Sequence, residues 1–434
     1  MREISLAKKL LWLTVGSIFL TVLVLSSVLW WQLSASNTEL ASKSESYIVA
    51  EVEEKLSANA AVYGEKIAGF INEAYRVPYS LAALLGDAAK SQTLSRDTVV
   101  SINRSILEQN KLLSSIYSQF EPNAFDGQDA NFRQGYKHSV DADGTLEVYI
   151  TRDERGVIEQ QKVANAADKY ISTVNEFGIP EAYWYLCAKN TLSPCIMEPY
   201  LYKIPSGDSV MLTSLTVPIL RAGEFIGLAG VDLTLPTFQT MTEQLSKQLY
   251  NGKAKVTLLS NRGLIVGSSH YKTKLGRPIK EAIEPSVYSN FERLQGKKEV
   301  LEVDEQYLVN YPINIKLANK QWALIIEVPT ELALSGPKAL AGTMQETAAS
   351  LGALILVTGL VIAAAAFVIM KLVTASVVAP LRQIQQRVDN LASSEGDLTH
   401  TLHVDSHAEL IALAGGVNRF LSKLRELISE LKAV

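Results

Sequence analysis

Six aromatic side chains lie close together near the middle of the 434-residue chain, and such a group can recognise a cation. An aromatic face attracts an ammonium group within about 6 Å, by roughly 0.5–2 kcal/mol, and tyrosine hydroxyls can donate to carboxylates. Strand alternation places Tyr200 and Tyr202 on one face, so these two belong together. Ordinary core packing is the alternative for part of the set. The six are Tyr149, Tyr183, Trp184, Tyr185, Tyr200 and Tyr202.

Three carboxylates could hold such a cation through a charge-assisted hydrogen bond, which is stronger than a neutral one. Asp232 follows the apolar run IGLAGV and precedes the sequence LTL. The same position would suit an aspartate that caps the next helix. Glu121 and Asp208 are further candidates, although the sequences Glu-Pro and Gly-Asp around them are also typical of turns.

Nothing in the sequence indicates catalysis, a cofactor or a metal site. The motifs G-x-S-x-G and H-E-x-x-H and the phosphate-binding glycine loop are absent, and the five histidines are scattered. We therefore predict that the protein is not an enzyme and needs no cofactor. The formal net charge of −4 argues against nucleic acid as a partner.

The two cysteines, Cys187 and Cys195, are separated by seven residues, AKNTLSP. An oxidising compartment would favour a disulfide between them, with two free thiols as the alternative. Two cysteines without a histidine cluster make a metal site a poor explanation.

Two uncharged apolar runs, residues 10–31 and 348–370, are long enough to cross a membrane, since about 20 helical residues span ~30 Å. Lys8 and Lys9 precede the first run, and Lys371 follows the second. Positive charge beside a span is retained in the cytoplasm, so residues 1–9 and the C-terminal segment are predicted to be cytoplasmic and the rest external. The alternatives are a cleaved signal peptide for the first run and a buried core helix for the second.

The external segment has two kinds of sequence. Apolar residues at helical spacing predict one long helix over residues 35–87, kinked at Pro78. Runs rich in Val, Ile, Tyr and Thr then alternate with turns, which predicts sheets with packed helices at 88–235 and again at 250–330. Residues 236–250 are predicted to form a connecting helix. The fold class is therefore α+β, with two modules in tandem.

The sequences QFEPNAFDGQDANF (119–132), DADGTLEVYITR (141–152) and the run from EPYLYK to VDLTL (198–235) resemble the double Cache domain of bacterial transmembrane receptors. The sequence VTLLSNRGLIVGSSHYKTKLG (256–276) resembles its membrane-proximal half. The resemblance implies a sensor domain over 35–347 with two PAS-like modules, a membrane-distal one at 88–235 and a proximal one at 250–330. It further implies that ligand binds in the distal module and that Asp232 binds its amino group.

One departure from the family pattern bears on the ligand. Amino-acid receptors of this family carry R-x-W-Y before the EPY sequence, whereas this chain has Ala182 in place of the arginine that clamps a carboxylate. The sequences FEPNAFDG and EPYLY resemble instead the branch that senses biogenic amines and polyamines. We therefore predict a cationic amine, with an amino acid or organic acid as the alternative. The predicted ligand contacts are Asp232, Tyr202, Tyr185, Trp184, Tyr149, Tyr200, Glu121 and Asp208.

The C-terminal segment contains two amphipathic runs with heptad-like seams, one starting at Pro380 and one near Ala408. The pattern resembles a HAMP domain over residues 374–428, which implies a parallel four-helix bundle in a homodimer. Ala408 and Ile411 replace an aspartate and a glycine of the family pattern. A generic juxtamembrane coiled coil is the alternative.

Together these resemblances imply a methyl-accepting chemotaxis protein of the bacterial inner membrane with a periplasmic sensor. A small ligand would signal through the second span and HAMP to a chemotaxis kinase and adaptor. No kinase-control hairpin is present up to Val434, so output is expected from a continuation of the chain or from another chain. The rival prediction is the same front end on a histidine kinase or diguanylate cyclase, and a ligand-free adhesin or scaffold is a weaker one.

Overall fold

The computed structural model describes residues 6–203, 209–392, 398, 401–405 and 407–432. The chain divides into two compact units, Tyr47–Pro337 and the combination of Met1–Ser46 with Lys338–Val434. The α-helices are α1 (Leu6–Ala74), α2 (Arg76–Ser91), α3 (Arg96–Gln109), α4 (Tyr183–Thr191), α5 (Leu235–Gln248), α6 (Pro285–Leu294), α7 (Thr330–Ala392) and α8 (Ala408–Lys432).

The unit Tyr47–Pro337 contains two antiparallel sheets, which confirms the predicted α+β class. The first has the order β3-β2-β1-β7-β6-β4, with β5 also paired to β6, and the second has the order β10-β11-β12-β8-β9. The strands of the first sheet are β1 (Ser115–Phe120), β2 (Glu147–Arg152), β3 (Ile158–Gln161), β4 (Cys195–Ile196), β5 (Tyr200–Lys203), β6 (Ser209–Arg221) and β7 (Glu224–Thr234). Those of the second are β8 (Lys255–Leu259), β9 (Ile265–Ser268), β10 (Glu299–Val303), β11 (Gln306–Ile315) and β12 (Lys320–Pro329).

The long N-terminal helix was predicted over residues 35–87 with a kink at Pro78, but the structure has different helix ends and a different position for the break. α1 already begins at Leu6 and ends at Ala74, and α2 follows after Tyr75. The break lies one turn before Pro78 because proline has no N–H to donate to the carbonyl of residue 74. Short helices α4 and α6 were not predicted, since nine and ten residues give too little periodicity to separate them from loops.

α1 packs against the second sheet through a close approach at Gly64. A Cβ atom at this position would collide with the ring of Tyr311 on β11, whose hydroxyl donates to Glu65 at 2.6 Å. About two helical turns further on, Asn72 Nδ2 donates to the Asn314 carbonyl at 3.3 Å, and Asn72 Oδ1 accepts from the backbone N–H of Lys316 at 3.1 Å. The helix is therefore seated on this sheet by backbone proximity as well as by apolar contacts.

The two modules of this unit also meet directly at Glu198, which is half-buried. Its carboxylate accepts a hydrogen bond from Ser260 Oγ and one of 3.2 Å from the backbone N–H of Arg262, both in the β8–β9 hairpin turn. Burial raises the pKa of the Glu198 carboxyl, and the Ser260 hydrogen bond opposes that rise. Glu198 lies two residues before Tyr200, so this contact is made beside the first residue of β5.

The other unit contains two helical segments of membrane-spanning character, Trp12–Ser36 in α1 and Glu346–Asn390 in α7. A Cβ atom on Gly359 would lie 2.9 Å from Ser26 Oγ, so the two segments pack closely there. The first helix of the predicted HAMP domain has no separate start, because α7 continues through Pro380 to Ala392. The second helix begins at Ala408 as expected.

The connector between α7 and α8 is fixed to α8 by one asparagine. Asn418 Oδ1 accepts from the backbone N–H of Leu402 at 2.7 Å, and its Nδ2 donates to the Leu402 carbonyl at 2.9 Å. Leu402 itself packs with Ile384 and Ala414. A paired amide and an apolar side chain thus hold the described part of the connector between the two helices.

The Gly64 contact predicts opposite effects for two Gly→Ala substitutions in α1. Gly64→Ala should destabilise the protein by roughly 1–3 kcal/mol because the added methyl group overpacks the site against Tyr311. Gly69→Ala is the matched control, since this exposed glycine has no heavy atom within 4 Å of the added methyl group. It should be stabilising by up to about 1 kcal/mol through helix propensity. Chemical denaturation measures both values, and an equal effect of the two variants would contradict the packing.

Candidate ligand-binding site

A cavity of about 320 Å³ lies in the first module, against one face of its sheet. β1, β2 and β7 form its floor, β5 and α4 contribute aromatic side chains, and residues 162–169 cover it. It is lined by Tyr117, Gln119, Glu147, Tyr149, Lys162, Val163, Ala164, Asn165, Ala166, Asp168, Lys169, Trp184, Tyr200, Tyr202, Lys203 and Asp232.

Strand register explains why distant residues of the sequence meet on this floor. Ser115 lies opposite Asp232, Tyr117 lies opposite both Gly230 and Tyr149, and every second residue of a strand faces the same side. A Cβ atom at Gly230 would collide with the Tyr117 ring, so the glycine leaves room for that ring to lie over β7. The lack of a side chain at this position therefore shapes the cavity.

The aromatic side chains of the cavity contact one another edge to face. The Tyr117 ring centroid lies 6.1 Å from that of Tyr149 and 5.9 Å from that of Trp184, and Tyr149 lies 5.9 Å from Tyr202. Aromatic pairs favour this geometry, which exposes some ring faces and edges to the enclosed space. The site therefore offers π surface to a ligand without relying on a single ring.

Asp232 lies at one end of the cavity floor and is 3% exposed. Ser115 Oγ donates to one carboxylate oxygen, and Ser214 Oγ donates to the other at 2.6 Å. Burial raises the pKa of the Asp232 carboxyl to about 6, while these hydroxyl donors favour the ionised form. None of the ion pairs among the described residues involves Asp232. A ligand cation would supply the missing opposite charge.

A different polar cluster lies at the other end of the floor. Lys169 Nζ donates to Glu147 Oε1 and to the carbonyl of Phe120, and both charged side chains are almost fully buried. Burial raises the pKa of the Glu147 carboxyl to about 8, and the Lys169 charge opposes that rise. Among the described residues, Glu147 Oε2 has no hydrogen-bond partner.

Five of the eight predicted contact residues line the cavity, namely Asp232, Tyr149, Trp184, Tyr200 and Tyr202. The structure thus brings together residues from four separate elements. As the alternation of β5 predicts, Tyr200 and Tyr202 share one face, while Leu201 between them is 65% exposed. Asp208 lies outside the described residues.

Two further predicted contacts, Tyr185 and Glu121, do not line the cavity. Tyr185 OH donates to Glu121 Oε1 at 2.6 Å, Lys189 Nζ pairs with the same oxygen at 2.8 Å, and Tyr170 OH donates to Oε2 at 3.0 Å. Both oxygens of the Glu121 carboxylate are therefore occupied. Its role is to fix Tyr170 and Tyr185 behind the cavity wall.

Sequence reasoning missed Tyr117 and Gln119 on β1, Glu147 on β2, and the lysines. Tyr117 and Gln119 alternate in the strand SIYSQF, and Glu147 and Tyr149 alternate in EVYITR, so polar and aromatic side chains at every second position were the available signal. The lysines Lys162, Lys169 and Lys203 carried no such signal, because lysine is common in loops and at strand ends.

Cys187 and Cys195 form a disulfide. It joins α4, which carries Trp184, to β4. β4 is in turn hydrogen-bonded to β6. The cross-link therefore restrains the helix that presents an aromatic side chain to the cavity.

Two family models match the chain, the HAMP domain at residues 372–426 and the methyl-accepting chemotaxis protein-like first PDC sensor domain at residues 100–240. The chain has the sensor–HAMP architecture of methyl-accepting chemotaxis receptors. The second match covers all the strands of the module that holds the cavity. This receptor family is one of sensors rather than enzymes.

Curated relatives that the chain matches are longer than the chain itself. Methyl-accepting chemotaxis protein TlpQ of Pseudomonas aeruginosa is 30% identical over 342 residues, which are 76% of this chain and 46% of that relative. Methyl-accepting chemotaxis protein PctB of the same organism is 26% identical over 252 residues, which are 57% of this chain and 36% of that relative. The chain thus spans less than half the length of these relatives.

A solved structure of a methyl-accepting chemotaxis protein X superimposes with a TM-score of 0.51 at 22% identity, covering 65% of this chain and 99% of that chain. The extracellular domain of a putative histidine kinase, mmHK1S-Z3, superimposes with a TM-score of 0.54 at 20% identity, covering 66% and 97%. The fold of the sensor is therefore common to chemoreceptors and histidine kinases, and does not by itself identify the output.

The buried Asp232 carboxyl predicts a specific pH dependence of stability. Because the folded state retains this proton up to a higher pH than the unfolded chain, Asp232 lowers the free energy of unfolding as the pH rises from about 4 to about 6. Asp232→Asn should remove this loss, which amounts to at most about 3 kcal/mol for a rise of two pH units. Denaturant unfolding at pH 4.5 and pH 7.5 compares the two proteins, and parallel pH profiles would disprove the burial of a charge here.

Proposed function

We propose that the protein is a transmembrane chemoreceptor that binds a small amine in the cavity of its first module. The observation that carries the amine assignment is Asp232, a buried carboxylate with two hydroxyl donors and no ion-pair partner among the described residues, beside aromatic rings. A ligand ammonium would neutralise this charge away from water, where such a charge-assisted bond is strongest.

The signal would travel along α7, which runs from the end of the second sheet into the residues matched by the HAMP family. A ligand shifts the equilibrium between two conformations of a receptor only if it binds one conformation more tightly than the other. We infer a homodimer in the bacterial inner membrane, with a periplasmic sensor and a HAMP four-helix bundle. Control of a chemotaxis kinase and adaptor would require a signalling region outside these 434 residues.

An amino acid is the second candidate ligand, because Lys162, Lys169 and Lys203 also line the cavity. A zwitterion could place its ammonium at Asp232 and its carboxylate near a lysine. Two of these lysines already have partners, however. Lys162 pairs with Asp141 at 2.9 Å and Lys169 pairs with Glu147, so we favour the amine.

Titration calorimetry of the full chain in lipid nanodiscs tests the ligand class directly. We expect hexylamine and putrescine to bind, and L-alanine and succinate to bind at least tenfold more weakly. Asp232→Asn should weaken amine binding by at least tenfold because it removes the charge that the ammonium meets. Asp168→Asn is the matched control at an exposed carboxylate of the same cavity, and should change affinity by less than threefold.

Amine affinity should also fall about tenfold per pH unit below about 6, since protonation of Asp232 removes its charge. Binding of L-alanine or succinate without binding of either amine would overturn the amine assignment. Equal losses in Asp232→Asn and Asp168→Asn would show that overall charge, and not Asp232, attracts the ligand.

A further inference from the structure

The end of the cavity opposite Asp232 contains a second set of polar groups that the amine proposal does not use. Gln119 lies four residues along β1 from Ser115, the residue opposite Asp232, so the two ends are separated by ~14 Å along the strand. Glu147 lies directly opposite Gln119 on β2. Both side chains line the cavity, and they face the same side of the sheet as Asp232.

Gln119 is 7% exposed and lines the cavity, and no hydrogen bond of its side-chain amide to another described residue is present, so the amide is open to the cavity. A carboxamide has two donor hydrogens and two acceptor lone pairs. A buried polar group left without partners costs about 1–3 kcal/mol, so such groups in native sites usually meet a ligand or water. Glu147 Oε2, on the neighbouring strand, is a fully buried oxygen without a hydrogen-bond partner in the part of the chain that the structure describes.

The charge at this end is balanced within the protein. Lys169 has two oxygen acceptors, Glu147 Oε1 and the Phe120 carbonyl, and its Nζ also lies 5.2 Å from the centroid of the Tyr185 ring. A second ammonium on the ligand would be repelled by Lys169. A ligand carboxylate would lose its hydration at this buried end, where Lys169 already has two oxygen acceptors in place. A neutral group with a donor hydrogen avoids both penalties and can bond Gln119 and Glu147 Oε2 together.

We propose that the ligand is a bifunctional molecule with an ammonium at Asp232 and a neutral polar group, such as an amide or a hydroxyl, at Gln119 and Glu147. This inference rests on the proposed amine function and adds the chemistry of the far end. Monoacylated diamines and amino alcohols belong to this class and should bind more tightly than simple diamines and amino acids. The aromatic rings between the two ends would contact the connecting carbon chain.

A ligand series that differs only at the far end tests the proposal on the unmodified full chain in nanodiscs. The five probes share a six-carbon chain with a primary amine at one end and differ at the other end, and calorimetry gives each dissociation constant. N-acetyl-1,6-diaminohexane and 6-aminohexan-1-ol should bind at least tenfold more tightly than hexylamine, 1,6-diaminohexane and 6-aminohexanoate. Equal affinity for hexylamine and the acetylated amine would overturn the far-end site while leaving the amine function intact.

The substitution Gln119→Leu tests whether Gln119 causes the preference for a neutral polar group, and it leaves the buried Glu147–Lys169 pair in place. It should weaken the acetylated amine by about tenfold and leave hexylamine within twofold, because hexylamine has no group to bond the amide. Asp232→Asn should weaken all five amines, which separates the two ends of the site. Unchanged selectivity in Gln119→Leu would overturn the proposal, and failure of every probe to bind would overturn the amine function together with it.

Discussion

The cavity depends on a carboxylate that is kept away from water. Asp232 is tolerated in the sheet because the strands on either side each supply a serine hydroxyl, Ser115 from β1 and Ser214 from β6. Two hydroxyl donors reduce the cost of burying the charge but do not remove it, as the raised pKa of Asp232 shows. The register of three strands therefore fixes both the position of this charge and the stability that the folded protein loses by holding it.

Everything else on the floor of the cavity follows from the same register. The strand alternation that turns Asp232 toward the cavity also turns Tyr117 and Tyr149 toward it, and it places glycine at position 230, under the Tyr117 ring. A shift of one residue would turn this polar and aromatic face into the apolar core on the opposite side of the sheet. Gly230 is thus as much a part of the binding surface as the rings that lie above it.

The sequence predicted the architecture and the aromatic residues of β5 correctly, but it did not predict the roles of Glu121, Gln119 and Glu147. Alternation in β5 placed Tyr200 and Tyr202 correctly, and apolar runs identified most of the strands of both sheets but not β3, β4 or β10, because these signals are local. The role of Glu121 was not local, since its partners Lys189 and Tyr185 lie more than 60 residues away and take up a carboxylate that looked available. Gln119 and Glu147 were missed for a similar reason, as only the pairing of β1 with β2 brings them together. The continuity of α7 through Pro380 was also hidden, because a proline ordinarily suggests a helix start.

The hydrogen bonds of Glu198 connect the cavity to the second module by a short path, because Glu198 is only two residues from the cavity residue Tyr200. Glu198 is held by the β8–β9 turn, and two residues later Tyr200 lines the cavity and bonds Ser214, the donor to Asp232. A ligand that repositions Tyr200 therefore acts on a short, extended segment that is anchored at its other end outside its own module. Because only one residue separates Glu198 from Tyr200, this extended segment cannot absorb a sub-ångström movement of Tyr200 by rearranging as a long loop would. The movement would instead displace Glu198 and the β8–β9 turn that it contacts.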